Sequence, residues 1–150
     1  MSSASKSAIE AAGIIASQCA HRNTRLLNRR ITQWYEDALR PIGLRATQLT
    51  LLVAVGRLGP IRPADLAPAL AMEKSTLSRN TDRLIERGWL EVLADDDARS
   101  QLLSLTRSGG QILERALPLW TEAQAKAQAT LGVSGMESLG RLARKAHKAN

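Results

Sequence analysis

Residues 74–105, KSTLSRNTDRLIERGWLEVLADDDARSQLLSL, open with a helical pattern that ends at a glycine. Leu77 and Leu84 lie on one face at helical spacing, and the opposite face is polar. Gly88 can end a helix because glycine adopts the left-handed conformation without strain. The pattern therefore predicts a helix over residues 73–87.

Two short apolar segments follow this helix and are expected to pair. Leu90–Leu93 and Gln101–Leu105 each have the length of a strand. The acidic run Asp95–Asp97 between them can form a polar turn. We therefore expect a β-hairpin with a charged tip.

Two more helices are expected before residue 73. The first runs from Thr47, a suitable N-cap, to Arg57, where the glycines at 56 and 59 interrupt the pattern. The second spans about 64–70 and should be short or bent, because Pro68 removes one helical hydrogen bond and crowds the preceding turn. The residues of the first helix expected to be largely buried are Leu49, Leu51, Leu52, Val53 and Val55.

Long helical patterns flank this central region on both sides. The N-terminal pattern is expected to form one helix that stops at Pro41 and Gly43. The C-terminal pattern begins at the cap Thr106 and should kink at Pro118, and a last helix is expected over 134–148. The N-terminal helix carries an apolar stripe that consists of Ala16, Ala20, Leu27, Ile31, Trp34 and Ala38.

The order helix, turn, helix, hairpin is that of a winged helix-turn-helix, in a chain that is mainly α with a small β-hairpin (α+β). In such a fold the second helix lies in the major groove of DNA, with its first residues at the base edges. Arg79 could bind guanine through two hydrogen bonds, and Arg83 follows on the same helix face. The alternative is a solvated, salt-bridged surface helix. The candidate DNA-binding residues of this helix are Lys74, Ser75, Thr76, Ser78, Arg79 and Arg83.

Asp97 and Arg99 lie at the expected tip of the hairpin. An arginine there could enter the narrow minor groove, where the negative potential is enhanced. A neighbouring carboxylate can hold the guanidinium in a fixed geometry. The alternative is an ordinary polar turn with aspartate as the turn former.

Composition and charge favour a duplex nucleic acid as the partner. The 150 residues carry a net charge of +7, which suits a polyanion or an anionic membrane surface. Four aromatic residues are too few for a platform on which single-stranded bases stack. The single cysteine, Cys19, fits a reducing compartment, and no apolar run is long enough to span a membrane, so we expect a cytoplasmic protein.

Several short motifs, in this order and at this spacing, resemble the MarR family of bacterial regulators over roughly residues 15–135. Each motif is weak alone, but the ordered set is fairly specific. They are Gly43-Leu44 with Thr47-Gln48, Leu66-Ala67 with Leu70, Ser75 to Arg79, Leu84 to Leu90, Asp97 to Ser100, and Leu105-Thr106 with Gly109.

The resemblance implies a homodimer whose terminal helices, 7–40 and 107–150, interlock around a winged helix-turn-helix at 44–106 within one chain, 1–150. It implies a (pseudo)palindromic operator read by two such helices. Ser75, Thr76, Ser78 and Arg79 would meet DNA, and Arg99 would enter the minor groove, steadied by Asp97. Thr47 and Gln48 would lie near the DNA backbone. The family also favours a repressor.

Members of this family commonly bind small aromatic or phenolic anions. The resemblance therefore implies that this chain also binds such an effector. A guanidinium near aromatic rings suits an aromatic carboxylate. The alternative for these rings is a place in the core, and for the arginine a solvated surface. The candidate effector-binding residues are Asn23, Arg30, Trp34, Tyr35 and Trp120.

Cys19 raises a second kind of switch, because some relatives sense oxidants through an N-terminal thiol. A reactive thiol needs access and a depressed pKa. A buried cysteine that packs as a small apolar residue is the alternative. We keep an oxidant-sensing regulator as an alternative function.

Other function classes have less support in the sequence. It has no glycine-rich phosphate loop and no nucleophile elbow, so no catalytic residue, enzyme activity or cofactor is expected. The two histidines, His21 and His147, lie near opposite ends, so no metal site is expected. A winged-helix domain that docks another protein is the main alternative, although it should expose an apolar patch where this chain has hydroxyls and arginine.

Overall fold

The computed structural model describes residues 4–97 and 100–149. The chain divides into two compact units, of which the first ends at Gln33 and the second begins at Trp34. No helix within these ranges is long and apolar enough to cross a membrane.

The first unit contains helix α1, Lys6–Gln18, and most of helix α2, Ala20–Leu39. One continuous helix was expected here, but the backbone leaves the helix at Cys19 (ψ 106°). The amide of Cys19 still donates to Ile15 O, and its Sγ accepts the amide of Arg22 at 3.5 Å. The thiol thus takes the place of an N-cap oxygen at the start of α2.

The predicted apolar stripe is divided between the two units. Ala16 and Ala20 are exposed and Leu27 and Ile31 are half-buried in the first unit, whereas in the second unit Trp34 is buried and Ala38 is half-buried. Burial of the stripe within one chain is therefore confined to its C-terminal end.

The second unit continues through a 3-10 turn, Arg40–Ile42, into helix α3, Ala46–Leu58. Thr47 was expected to cap α3, but the helix starts one residue before it. The Gln48 side chain instead accepts the amide of Arg45 at 3.1 Å. The helix ends at Gly59 (φ 77°), a conformation that favours glycine, while Gly56 lies inside it.

The remaining helices of the segment 44–106, called the head below, agree with the pattern. Helix α4, Pro63–Ala69, has seven residues and is short as expected, and helix α5, Lys74–Glu86, ends before Gly88 (φ 70°). Of the residues expected to be buried in α3, Val53 is 41% exposed, so that prediction was wrong. The other four of that set are buried.

Strands β1, Leu90–Ala94, and β2, Gln101–Leu105, form the expected antiparallel hairpin. Leu90 pairs with Leu105 at the base and Ala94 with Gln101 at the far end. Ile61 joins β2 from the other side by pairing with Leu103, with N···O distances of 2.9 and 3.0 Å. The segment before α4 is thus tied to the hairpin by backbone hydrogen bonds.

Helix α6, Arg107–Lys148, begins at Thr106, whose Oγ1 accepts the amide of Gly109 at 2.9 Å. The backbone leaves helical values at Gly132 (φ 71°, ψ 166°), whereas Pro118 lies within the helix at helical φ and ψ. The break therefore falls at the glycine, where positive φ costs little, in agreement with the separate last helix expected over 134–148.

The core of the second unit lies among α3, α4, α5, the hairpin and the first part of α6. Its fully buried leucines come from every one of these elements except α6, which supplies Ile112 and Ala116. The largest fully buried side chains are Leu39, Leu44, Leu51, Leu52, Leu66, Leu84, Leu90 and Val55. The predicted fold class, mainly α with a two-stranded wing, is confirmed.

Candidate nucleic-acid interface

The first half of α5 presents a polar surface that is held from behind by a buried face. Leu77, Thr81 and Leu84 are buried, so the rotation of the helix is fixed by packing against the core. The opposite face carries hydroxyls, an ammonium and guanidinium groups at the helix start. Its exposed members are Lys74, Ser75, Ser78, Arg79 and Arg83, and Thr76 is half-buried.

Several polar side chains of α5 already have partners within the helix. Asn80 Nδ2 donates to Thr76 O at 2.8 Å, and Thr81 Oγ1 lies within hydrogen-bond distance of Leu77 O and Ser78 O. Ser78 Oγ contacts Asp82 Oδ2 at 3.5 Å, the limit for a hydrogen bond. Asn80 and Thr81 therefore serve the helix, which leaves its N-terminal hydroxyls and arginines as the surface for a partner.

Arg87 shares the face of Arg79 and Arg83 by spacing, but the structure gives it a different role. Its Nη1 donates to Gly43 O at 2.6 Å, and its guanidinium lies 4.9 Å from the centre of the Trp89 ring. These contacts tie the end of α5 to the turn that follows α2. Gly43 lies 44 positions away in the sequence, so the sequence pattern carried no signal for this contact.

Thr47 and Gln48, expected near the DNA backbone, lie in the first turn of α3. Thr47 is half-buried, and Gln48 is 3% exposed with its side chain occupied by the amide of Arg45. This places the Gln48 side chain in the interior of the head rather than on its surface.

The wing tip contains an ion pair that sequence reasoning missed. Arg62 Nε donates to Asp95 Oδ2 at 2.5 Å, and Ser100 Oγ donates to the same oxygen. The hydrogen bond from Arg62, followed by that from Ser100, holds the pKa of Asp95 well below its ordinary value, and the same contact raises the pKa of Arg62. Arg62 is 33 positions before Asp95, so no local pattern indicates the pair.

Asp97 is exposed at this tip, and its carbonyl accepts the amide of Ser100 at 2.8 Å. Arg99, the expected minor-groove residue, and its neighbour Ala98 lie outside the described residues. Around Arg99 the structure describes Asp97 and Ser100.

The expected effector residues are not gathered in the concavity found in the second unit. Asn23 and Arg30 are exposed in the first unit; in the second, Trp34 is buried and Trp120 is 38% exposed. The Tyr35 hydroxyl donates to Gln124 Oε1, and burial raises the pKa of Tyr35. A groove of about 400 Å³ is lined instead by Ile42, Trp89, Ser108, Gln111, Ile112, Glu114 and Arg115.

Cys19 is half-buried, and its sulfur lies at the start of α2 as described above. Within residues 4–97 and 100–149, no group of three or more His, Cys, Asp or Glu side chains could hold a metal ion. The notable polar features of the described chain are therefore the outer face of α5 and the wing.

Comparison with known proteins finds relatives that are transcriptional regulators, some of them solved in complex with DNA. A family model described as MarR family matches residues 44–100. The multiple antibiotic resistance protein MarR of Salmonella typhimurium is 32% identical over 91 residues, which are 60% of this chain and 63% of that protein. The alignment thus spans less than two thirds of that relative's length.

Two solved structures match over more of the chain. A Mycobacterium tuberculosis transcriptional regulator, MOSR, in complex with DNA is 33% identical with a TM-score of 0.77, over 88% of this chain and 96% of that one. A cysteine-to-serine mutant of Escherichia coli MarR complexed with operator DNA is 25% identical with a TM-score of 0.79, over 88% and 96%. With the family model on the head and such relatives matched over nearly their whole length, the chain belongs to the MarR family.

Proposed function

We propose that this protein is a cytoplasmic, non-enzymatic transcriptional regulator that binds a pseudo-palindromic operator in duplex DNA as a homodimer. The observation that carries the proposal is the outer face of α5, where exposed hydroxyls and arginines stand on a helix whose opposite face is locked into the core. Such a helix can enter the major groove with a fixed orientation.

The residues that we propose to contact DNA fall into two groups. Arg79 reads a base edge, and Lys74 and Arg83 contact phosphates, with the hydroxyls of Ser75, Thr76 and Ser78 close to them. Arg99 enters the minor groove beside Asp97, and Thr47 lies near the backbone. Solved relatives in complexes with DNA support duplex DNA as the partner.

The test is selection of bound duplexes from a random-sequence pool, followed by a salt series on the enriched duplex. Enrichment of a palindrome whose affinity falls steeply with salt supports a sequence-specific dimer. Arg79→Ala should relax the preference at one base position of each half-site. A pool that remains random after selection would contradict the proposal and favour a protein-docking domain.

We propose that residues 7–40 and 107–150 form the dimer interface and that 44–106 is the reading head. Exposed apolar side chains on the helices support an interface there. They are Ile9, Ile14 and Ile15 on α1, and Leu117, Val133 and Leu142 on α6. Light scattering should give twice the mass of the chain, and Ile14→Asp with Leu142→Asp should reduce it, whereas the exposed head variant Ser75→Ala should not.

We also propose that the protein represses transcription and is released by a small aromatic anion. The groove beside Trp89 supports this, since its lining includes an indole ring, the guanidinium of Arg115 and the polar side chains of Ser108 and Gln111. Benzoate and 4-hydroxybenzoate are suitable probes, read by tryptophan fluorescence and by release of the enriched duplex. A promoter carrying that duplex should be silenced by the protein; increased transcription would contradict the repressor role.

A further inference from the structure

The wing, the hairpin formed by β1 and β2, is packed against the core only near its base, where Leu90 pairs with Leu105. Leu90 and Leu103 are 2% and 4% exposed, but Val92 and Leu93 are 43% and 37% exposed. Two short strands with an open apolar face are marginal on their own. The position of the far end must therefore depend on contacts other than core packing.

The contact available is the pair between Arg62 and Asp95. Arg62 is the residue before α4, and its neighbour Ile61 pairs with Leu103 through two backbone hydrogen bonds. Two successive residues thus bind the hairpin at two points along its length. Ile61 pairs with the middle of β2, and Arg62 binds the tip. A charge-assisted hydrogen bond of 2.5 Å to a carboxylate that is 8% exposed is among the stronger contacts that a surface loop can make.

The same carboxylate also closes the tip. Ser100 Oγ donates to Asp95 Oδ2, while the amide of Ser100 donates to Asp97 O. Asp95 follows β1 and Ser100 precedes β2, so these bonds fix both ends of the four-residue loop 96–99. Ser100 is the residue that follows Arg99 in the sequence.

We propose that Asp95 and Arg62 are positioning residues for the wing, which place Arg99 for its contact with DNA without touching DNA themselves. This inference rests on the proposed function, because it concerns how the wing that we propose to contact DNA is held in place. The lowered pKa of Asp95 agrees with it, because it reflects the hydrogen bonds that Arg62 and Ser100 donate to the charged carboxylate.

The test compares two substitutions that remove the same charge from neighbouring positions. Asp96 is exposed beside Asp95. Removing its charge lowers the repulsion of DNA phosphates, so Asp96→Asn should leave affinity for the enriched duplex unchanged or slightly higher. Asp95→Asn should lower that affinity about tenfold, the scale of one good base or groove contact. Equal effects of the two substitutions would overturn the proposal.

A double-mutant cycle with Arg99→Ala separates positioning from general destabilisation. If Asp95 acts through Arg99, Asp95→Asn should have little further effect in the Arg99→Ala protein. Additive losses would overturn the proposal. Arg62→Lys, which keeps the charge, should retain more affinity than Arg62→Gln.

Amide hydrogen exchange of the DNA-free protein gives an independent readout. Ser100 and the far end of β2 should exchange faster in Asp95→Asn than in Asp96→Asn, while amides of α3 should not change. If the wild-type protein enriches no duplex but this pattern is seen, the proposed function fails and the structural part of the inference stands. If the duplex is enriched but exchange is the same in both variants, the inference fails alone.

Discussion

Single residues decide how closely the elements of the head approach one another, and Gly109 is the clearest case. A Cβ atom added there would lie 2.1 Å from the carbonyl oxygen of Trp89 and 2.7 Å from Leu105 Cδ1. Gly109→Ala should therefore destabilise the fold by about 2 kcal/mol or more, because a backbone atom cannot move aside easily.

Gly110 provides the matched control for that substitution, since nothing lies within 4 Å of its added Cβ. Gly110→Ala should stabilise the protein by roughly 0.5–1 kcal/mol, as alanine loses less backbone entropy in a helix. Urea unfolding of the two variants measures both effects. Similar free energies of unfolding would show that the start of α6 does not pack against Trp89 as described.

The charge of a single residue makes the wing sensitive to acid. The folded-state pKa of Asp95 lies below its ordinary value of 3.8. The charged carboxylate therefore contributes fully to folding stability above pH 3.8, and this contribution is lost as the pH falls through the lower, folded-state pKa. NMR titration should find the Asp95 carboxyl still ionised at pH 3.8. Arg62→Gln should move the titration upward, and an unchanged midpoint would contradict the ion pair.

At the scale of elements, Arg87 joins α5 to the turn after α2. Arg87→Ala removes the hydrogen bond to Gly43 O and the contact with the Trp89 ring, and should cost about 1 kcal/mol, since the guanidinium is partly exposed. Arg83→Ala, one turn earlier on the same face, should change the free energy of unfolding by less than about 0.5 kcal/mol. Equal losses in chemical denaturation would leave Arg87 without its connecting role.

The elements themselves were largely predictable, because their ends are set by local chemistry. The bounds of α5 and of both strands follow from Gly88, from apolar spacing and from the acidic turn, and the observed ends lie within about one residue of the expected ones. The break at Cys19 was not predictable, since a thiol is an unusual cap. Arg62, Asp95 and Arg87 were missed because their partners lie 33 and 44 positions away.

At the scale of the whole molecule, net charge is a poorer guide to the interface than it first suggests. Over residues 44–106 the chain has eight basic and eight acidic residues, so the head carries none of the net charge of +7. The surplus lies in the flanking helices, above all in Arg141, Arg144, Lys145 and Lys148, which share one face of α6 by their spacing. Attraction to DNA should thus depend on where charges stand on the head rather than on their sum.

Salt dependence can separate these two sources of attraction. Each phosphate contact that is lost should lower the slope of log K against log salt by about 0.9. Changing Lys74 and Arg83 to Gln removes two charges from the head and should lower the slope for the enriched duplex by nearly two. Changing Arg141, Arg144, Lys145 and Lys148 of α6 to Gln removes twice as many charges, yet should leave the slope unchanged, provided light scattering finds the same assembly. A larger change in the α6 variant would mean that DNA is held by the flanking helices, and the reading head proposed for residues 44–106 would then contribute little to affinity.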